Sequence, residues 1–132
     1  MNNLAKLYAT VLGAVLTLVG ILGFVSPLAP NGNLLGLFAI DPLHNIIHIL
    51  SGVVGLAVAF TAGGKYSRFY ALIFGIVYGL VTVVGFIQGT TVLGLIHVNI
   101  EDNILHLLIT LASLGVFFAT GNTSNVTRPS AA

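Results

Sequence analysis

The sequence predicts an all-α fold, a bundle of four transmembrane helices built from two tandem two-helix repeats. Three observations carry that reading. The 132 residues are 57% apolar and only 5% charged. The apolar residues gather into four stretches, each near the length that crosses a bilayer. The chain also matches itself at offsets of 62 and 58 residues.

Composition excludes much at once. An average soluble domain carries about 25% charged residues, and a mean hydropathy of +1.09 leaves too little polar surface to face water. Four basic and three acidic residues give a net charge of +1, so no basic stripe is present to hold a phosphate backbone, and nucleic acid is not an expected partner. With no cysteine there is no disulfide, iron–sulfur cluster or thiolate zinc site.

A hydrocarbon core about 30 Å thick takes about 20 apolar helical residues. The expected spans are Leu7–Val25, Asn45–Ala62, Phe69–Ile87 and Asn103–Thr120. Each is apolar on every face, which suits a helix in lipid rather than the alternating strands of a barrel. The first stretch exceeds the h-region of about 7–15 residues of a signal peptide and is read as a retained helix. One membrane domain is expected over residues 1–121, with the first repeat at about 5–63 and the second at about 67–121. Residues 122–132 form a polar cytoplasmic tail.

Orientation follows from charge. Lys6, Lys65, Arg68 and Arg128 fall on one side of these spans, and Asp41, Glu101 and Asp102 on the other. The positive-inside rule then puts both termini in the cytoplasm. Tyr8 and Tyr70 sit at matching cytoplasmic helix ends, where amphipathic rings favour the interface. The sequons at Asn122 and Asn125 carry no meaning on that side.

The internal match has eight identities in nineteen positions between residues 7–25 and 69–87, and eleven in twenty-nine between 35–63 and 93–121. Tyr8/Tyr70, Gly13/Gly75, Gly23/Gly85, Asn45/Asn103 and His48/His106 are among the paired residues. Two crossings per unit bring both copies in from the same side, so the expected symmetry axis lies along the membrane normal. Small residues at Ala71-Gly75-Gly79, Ala9-Gly13-Thr17 and Ser51-Gly55-Ala59 make ridges that let helices approach closely in lipid.

The polar residues concentrate in Asp41-Pro42-Leu43-His44-Asn45-Ile46-Ile47-His48 and in Asn99-Ile100-Glu101-Asp102-Asn103-Ile104-Leu105-His106. Asp41 and Asn99 read as helix caps, with Pro42 at a first helical position and Asp102 in a capping-box-like place. Capping does not account for the histidines. His48 and His106 lie seven residues beyond their caps, about 10 Å into the membrane at a 1.5 Å rise. Helical spacing groups His44, Asn45 and His48 on one face and Asp102, Asn103 and His106 on another. Ionisable groups in lipid are costly unless paired or turned inward, so the two faces are expected to meet, with His44 opposite Asp102 and His48 opposite His106.

These motifs, with Leu35-Gly36-Leu37-Phe38, give a sequence that resembles a family of small bacterial four-helix membrane proteins catalogued as domain of unknown function (DUF) family 4383. The resemblance covers about residues 5–121. It implies an integral membrane protein of a bacterial inner (plasma) membrane and supplies no catalytic residue.

Several functional readings follow from the same six residues. In the first, His44, Asn45, His48, Asp102, Asn103 and His106 form an interhelical hydrogen-bond network, and the protein is a structural or accessory membrane subunit. In the second, His44, His48, His106 and Asp102 ligate zinc or copper, with Asn45 and Asn103 behind them. Haem between His48 and His106 is a narrower form of this reading. A third takes the protein as a small transporter or proton-relay subunit acting as a homo-oligomer or in a larger complex. Its supporting residues Thr17, Thr61, Thr82, Thr110 and Gln88 are scattered. No triad spacing and no phosphate loop is present, so catalysis is not expected. His97, in the outer loop, reads as a solvated residue.

Overall fold

The computed structural model describes residues 3–121. The expected tail, with Arg128 and both sequons, lies outside the described residues. Four long helices dominate: α1 (Asn3–Leu22), α2 (Pro42–Phe60), α3 (Ser67–Gln88) and α4 (Ile100–Ala119). Each is long and apolar enough to cross a membrane. The chain is an all-α, four-helix integral membrane protein.

The helix bounds differ from the hydropathy reading by a turn at several ends. α1 stops at Leu22 although Phe24 and Val25 remain apolar, because Gly23 and the Ser26-Pro27 step end the helix and two 3₁₀ turns follow. α2 and α4 begin three residues before Asn45 and Asn103, since their first turns are the polar caps. Asp41 accepts the His44 N–H at 2.8 Å, and Asn99 and Asp102 form a reciprocal capping box.

The packing is apolar outside and polar inside. Large apolar side chains such as Leu18, Leu50, Leu80 and Leu108 are exposed on the helix surfaces. The largest fully buried side chains are His44, His106, Asn103, Ser67 and Ser113. A water-soluble core would invert this order. α1 packs chiefly on α2, and α3 on α4. Small residues make the close approach: a Cβ at Gly13 would stand 2.8 Å from the backbone of Gly52 and Leu56, and one at Gly75 would strike Leu114 and Ser113. Tyrosines tie the pairs together. The Tyr8 hydroxyl meets Ser113 of α4, and the Tyr70 hydroxyl donates to the Ser51 carbonyl of α2 at 3.0 Å.

Two short hairpins, absent from the sequence reading, lie at the end of the bundle opposite Lys6, Lys65 and Arg68. Strands β1 (Asn33–Leu34) and β2 (Phe38–Ala39) pair antiparallel, as do β3 (Thr91–Val92) and β4 (Ile96–His97). The registers Leu34↔Phe38 and Val92↔Ile96 fall 58 residues apart. Each turn sets two consecutive residues at positive φ, Leu35 and Gly36 in one, Leu93 and Gly94 in the other. Glycine adopts that region freely, whereas leucine does so at a cost. β3 and β4 fold back on α3, where Val92, Ile96 and Val98 pack against Val81 and Val84.

Candidate functional site

The caps determine where the histidines go. α2 starts at Pro42 and carries His44 and His48 on one face, and α4 starts at Ile100 and carries His106. These three rings converge between α2 and α4. Their centroids are 4.5 Å apart for His44 and His48, 5.8 Å for His44 and His106, and 6.3 Å for His48 and His106. One ring nitrogen from each lies within 4.8 Å of the other two. All three residues are buried, and both nitrogens of His44 and Nδ1 of His48 and of His106 have no hydrogen-bond partner among protein groups.

Asp102 does not complete this group. Its carboxylate accepts the Asn99 N–H at 3.0 Å within the capping box, and no ion pair to His44 exists among the described residues. The acid–histidine pair that does form is Asp41 with His97. Asp41 Oδ2 accepts the His97 N–H at 2.6 Å and lies 3.2 Å from His97 Nδ1. His97 is exposed as expected, with 69% of its side chain accessible, yet it is engaged rather than merely solvated. Burial raises the Asp41 carboxyl, but hydrogen bonds from the His97 backbone, the His44 backbone and the His97 ring outweigh it and hold the group below the usual carboxylate range.

The remaining predicted residues have separate roles. Asn45 and Asn103 press their side-chain carbonyls against Gly23, just past the end of α1, and Gly85 of α3, and a Cβ at either glycine would collide with them. Both Oδ1 atoms are buried without a partner. Among the described residues, the six of the expected network exchange no side-chain hydrogen bond with one another. Asn99 holds the opposite hairpin, its Nδ2 donating to the Leu37 carbonyl at 2.6 Å.

Two side chains that sequence reasoning did not assign to the site, Tyr78 and the ridge residue Ser51, stand beside the histidines. Tyr78 of α3 presents its ring to His106 with centroids 5.5 Å apart, and its buried hydroxyl lies beside the Ser51 side chain without a hydrogen bond of normal geometry. Both line a cavity of about 180 Å³ with His44, His48 and His106. A signal was available for both: at the repeat-matched positions stand Ile109 and Leu16, so a polar group replaces an apolar one at each.

The scattered hydroxyls are already occupied. Thr17, Thr61, Thr82 and Thr110 each donate to the carbonyl four residues earlier, and Gln88 Oε1 accepts the Leu93 N–H. They leave no chain of free donors along the helices.

The family model described as Domain of unknown function (DUF4383) matches residues 6–119, and the chain belongs to that family. No curated protein and no solved structure matches it.

Proposed function

We propose that this member of the DUF4383 family binds one first-row transition-metal ion, zinc or copper, through His44, His48 and His106. The observation that carries the reading is the convergence of three buried, unpartnered imidazoles at membrane depth. An unsatisfied polar group in a dry interior costs about 1–3 kcal/mol, and one ion shared by the three rings offsets that cost at all of them. A single ion satisfies one nitrogen from each. Imidazole-only donors suit zinc and copper rather than calcium or magnesium, whose ligands are oxygens.

The distances are compatible with that chemistry. Zinc–nitrogen bonds of about 2.0–2.1 Å in a tetrahedral site hold neighbouring nitrogens about 3.4 Å apart. From separations within 4.8 Å, each imidazole reaches that geometry by moving inward by about 1 Å or less. Three protein ligands leave one coordination position for a further donor. Haem is disfavoured by the cavity, whose 180 Å³ falls below the about 300–1,000 Å³ of pockets that enclose larger ligands.

The accessory-subunit reading loses its main support, because it needs hydrogen bonds among the six polar residues and their side chains make none with each other. In the proposed orientation the termini are cytoplasmic, since Lys6, Lys65 and Arg68 share one end of the bundle, and the metal site lies in the extracytoplasmic half. Elemental analysis of the full chain purified in mild detergent tests the reading. About one zinc or copper per chain is expected, lost in His48→Ala and His106→Ala and kept in His97→Ala. Absence of metal after incubation with either ion, or equal content in all four proteins, refutes it.

A further inference from the structure

The cavity beside the histidines opens toward the bilayer. Its walls are His44, Ile47, His48 and Ser51 of α2, Val77, Tyr78 and Val81 of α3, His106 of α4, and Ile96 of β4. Its mouth lies in the gap between α2 and α3. Ile47 and Val77 line it while facing outward on the helix surfaces, so the rim is apolar and meets lipid, not water. The deeper wall is aromatic and mostly apolar. Four of the nine lining residues carry rings, and behind the cavity surface the Tyr78 hydroxyl and ring nitrogens of His44, His48 and His106 are buried without partners.

The two repeats differ in the side chains they bring to this cavity. Position by position, Val77 matches Val15, Val81 matches Val19, and His48 matches His106. The matching breaks at five of the nine lining residues: Ser51 against Ile109, Tyr78 against Leu16, Ile96 against Phe38, Ile47 against Leu105 and His44 against Asp102. Ser51 and Tyr78 stand where the other copy has apolar side chains, Ile96 stands where it has a bulkier one, and Leu16 is buried.

We propose that this cavity is a binding site for a membrane-dissolved molecule with an oxygen-substituted ring and an apolar tail, a quinone-like lipophile. A volume of 180 Å³ holds a ring head but not a whole drug-sized ligand, whose sites run to about 300–1,000 Å³. The tail therefore stays in the bilayer, past Ile47 and Val77. The ring packs against the edges and faces of Tyr78, His48 and His106. Its oxygen accepts from the Ser51 hydroxyl and, once the Tyr78 ring turns its buried hydroxyl toward the cavity, from Tyr78 as well, and it points toward the imidazoles. Without metal the imidazole N–H groups add donors. The inference extends beyond the metal reading, with which it shares histidines, and stands without it.

The test uses the full chain in phosphatidylcholine nanodiscs, titrated with decylubiquinone against empty discs, in zinc-loaded and chelator-treated forms. Saturable binding of one quinone per chain above the empty-disc partition is expected. Tyr78→Phe removes only a hydroxyl and is expected to weaken binding at least tenfold. The Ser51→Ile, Tyr78→Leu double variant, which installs the side chains of the other copy, abolishes it, and both variants keep the metal content of the parent. Ile109→Ala, at the matched place in the other copy, leaves affinity unchanged. Binding no greater than in empty discs, or saturable binding that Tyr78→Phe and the double variant leave intact, overturns the proposal. Failure of the metal reading is separately visible: no zinc is bound, while quinone binding persists in the chelator-treated protein.

Discussion

Asp41 performs two tasks that a pair of substitutions separates. Its Oδ1 caps α2 by accepting the His44 N–H at 2.8 Å, and its Oδ2 accepts the His97 N–H at 2.6 Å, joining the second hairpin to the first helix pair. Asparagine preserves a cap as well as aspartate does. It cannot preserve the second contact, because its amide nitrogen would then face the His97 N–H, donor against donor. Asp41→Ala loses both. A lost cap costs about 0.5–2 kcal/mol and a hydrogen bond to a charged group about 1.5–3 kcal/mol. With the carboxylate side chain 13% accessible, the upper ends are discounted, giving about 2–4 kcal/mol for Asp41→Ala and about 1–2 kcal/mol for Asp41→Asn. His97→Ala keeps the backbone donor and loses only an exposed ring contact, so its cost is below about 0.5 kcal/mol.

The assay is reversible unfolding in mixed micelles of a non-ionic detergent and dodecyl sulfate, followed by circular dichroism. The sign of the pH effect is fixed by the depressed carboxyl: its contribution is complete above the usual carboxylate range, about 4, and is lost as pH falls through the lower folded value. The gap between parent and Asp41→Asn is therefore constant from about pH 5 to 8 and closes only in stronger acid. Asp41→Asn as stable as the parent at neutral pH, or a gap that closes near pH 6, refutes the two-task account.

Further outcomes follow from the same contacts. Gly13→Ala sets a Cβ 2.8 Å from the backbone of α2 and is expected to cost about 1–3 kcal/mol, whereas Gly115→Ala, with nothing within 4 Å, is neutral or slightly stabilising in the same unfolding assay. Asp102→Asn weakens the capping box by up to about 1 kcal/mol while leaving bound metal unchanged, since the carboxylate is held by Asn99 rather than by the histidines. Loss of metal in that variant would restore the carboxylate to the ligand set. Single cysteines at Lys65 and Asn99 test the proposed orientation, with only the Asn99 site reacting with an impermeant reagent in intact cells.

The four helices were legible because crossing lipid needs length and apolarity, and both are written in composition. The caps were legible for a different reason: Asp41-Pro42 and Asn99 to Asp102 place a side-chain acceptor beside otherwise unpaired N–H groups, a local rule that packing does not override. The hairpins were not legible. Their strands are two residues long, and their turns place leucine rather than asparagine at positive φ. The convergence of His44, His48 and His106 followed from helical spacing, but the fate of Asp102 did not. The same residue type can serve a cap or a ligand set, and only the rotation of α4 decides which.

Departures from internal matching are more informative about the site than the matching itself. Residues kept in both copies include those that close the helix pairs: Gly23 and Gly85 receive Asn45 and Asn103, and Gly13 and Gly75 receive the backbone or side chains of the partner helix. These contacts fix where the two amides sit in the helix pairs, away from the histidine cavity. Once they are set aside, the unmatched polar residues His44, Ser51 and Tyr78 have no such duty. His44 and Tyr78 carry buried atoms that the protein leaves unpartnered, and all three border one cavity with His48 and His106. Asp41 reaches this cavity indirectly. It holds His97, whose neighbour Ile96 forms part of the wall, so the clasp at the bundle end sets the position of one side of the site.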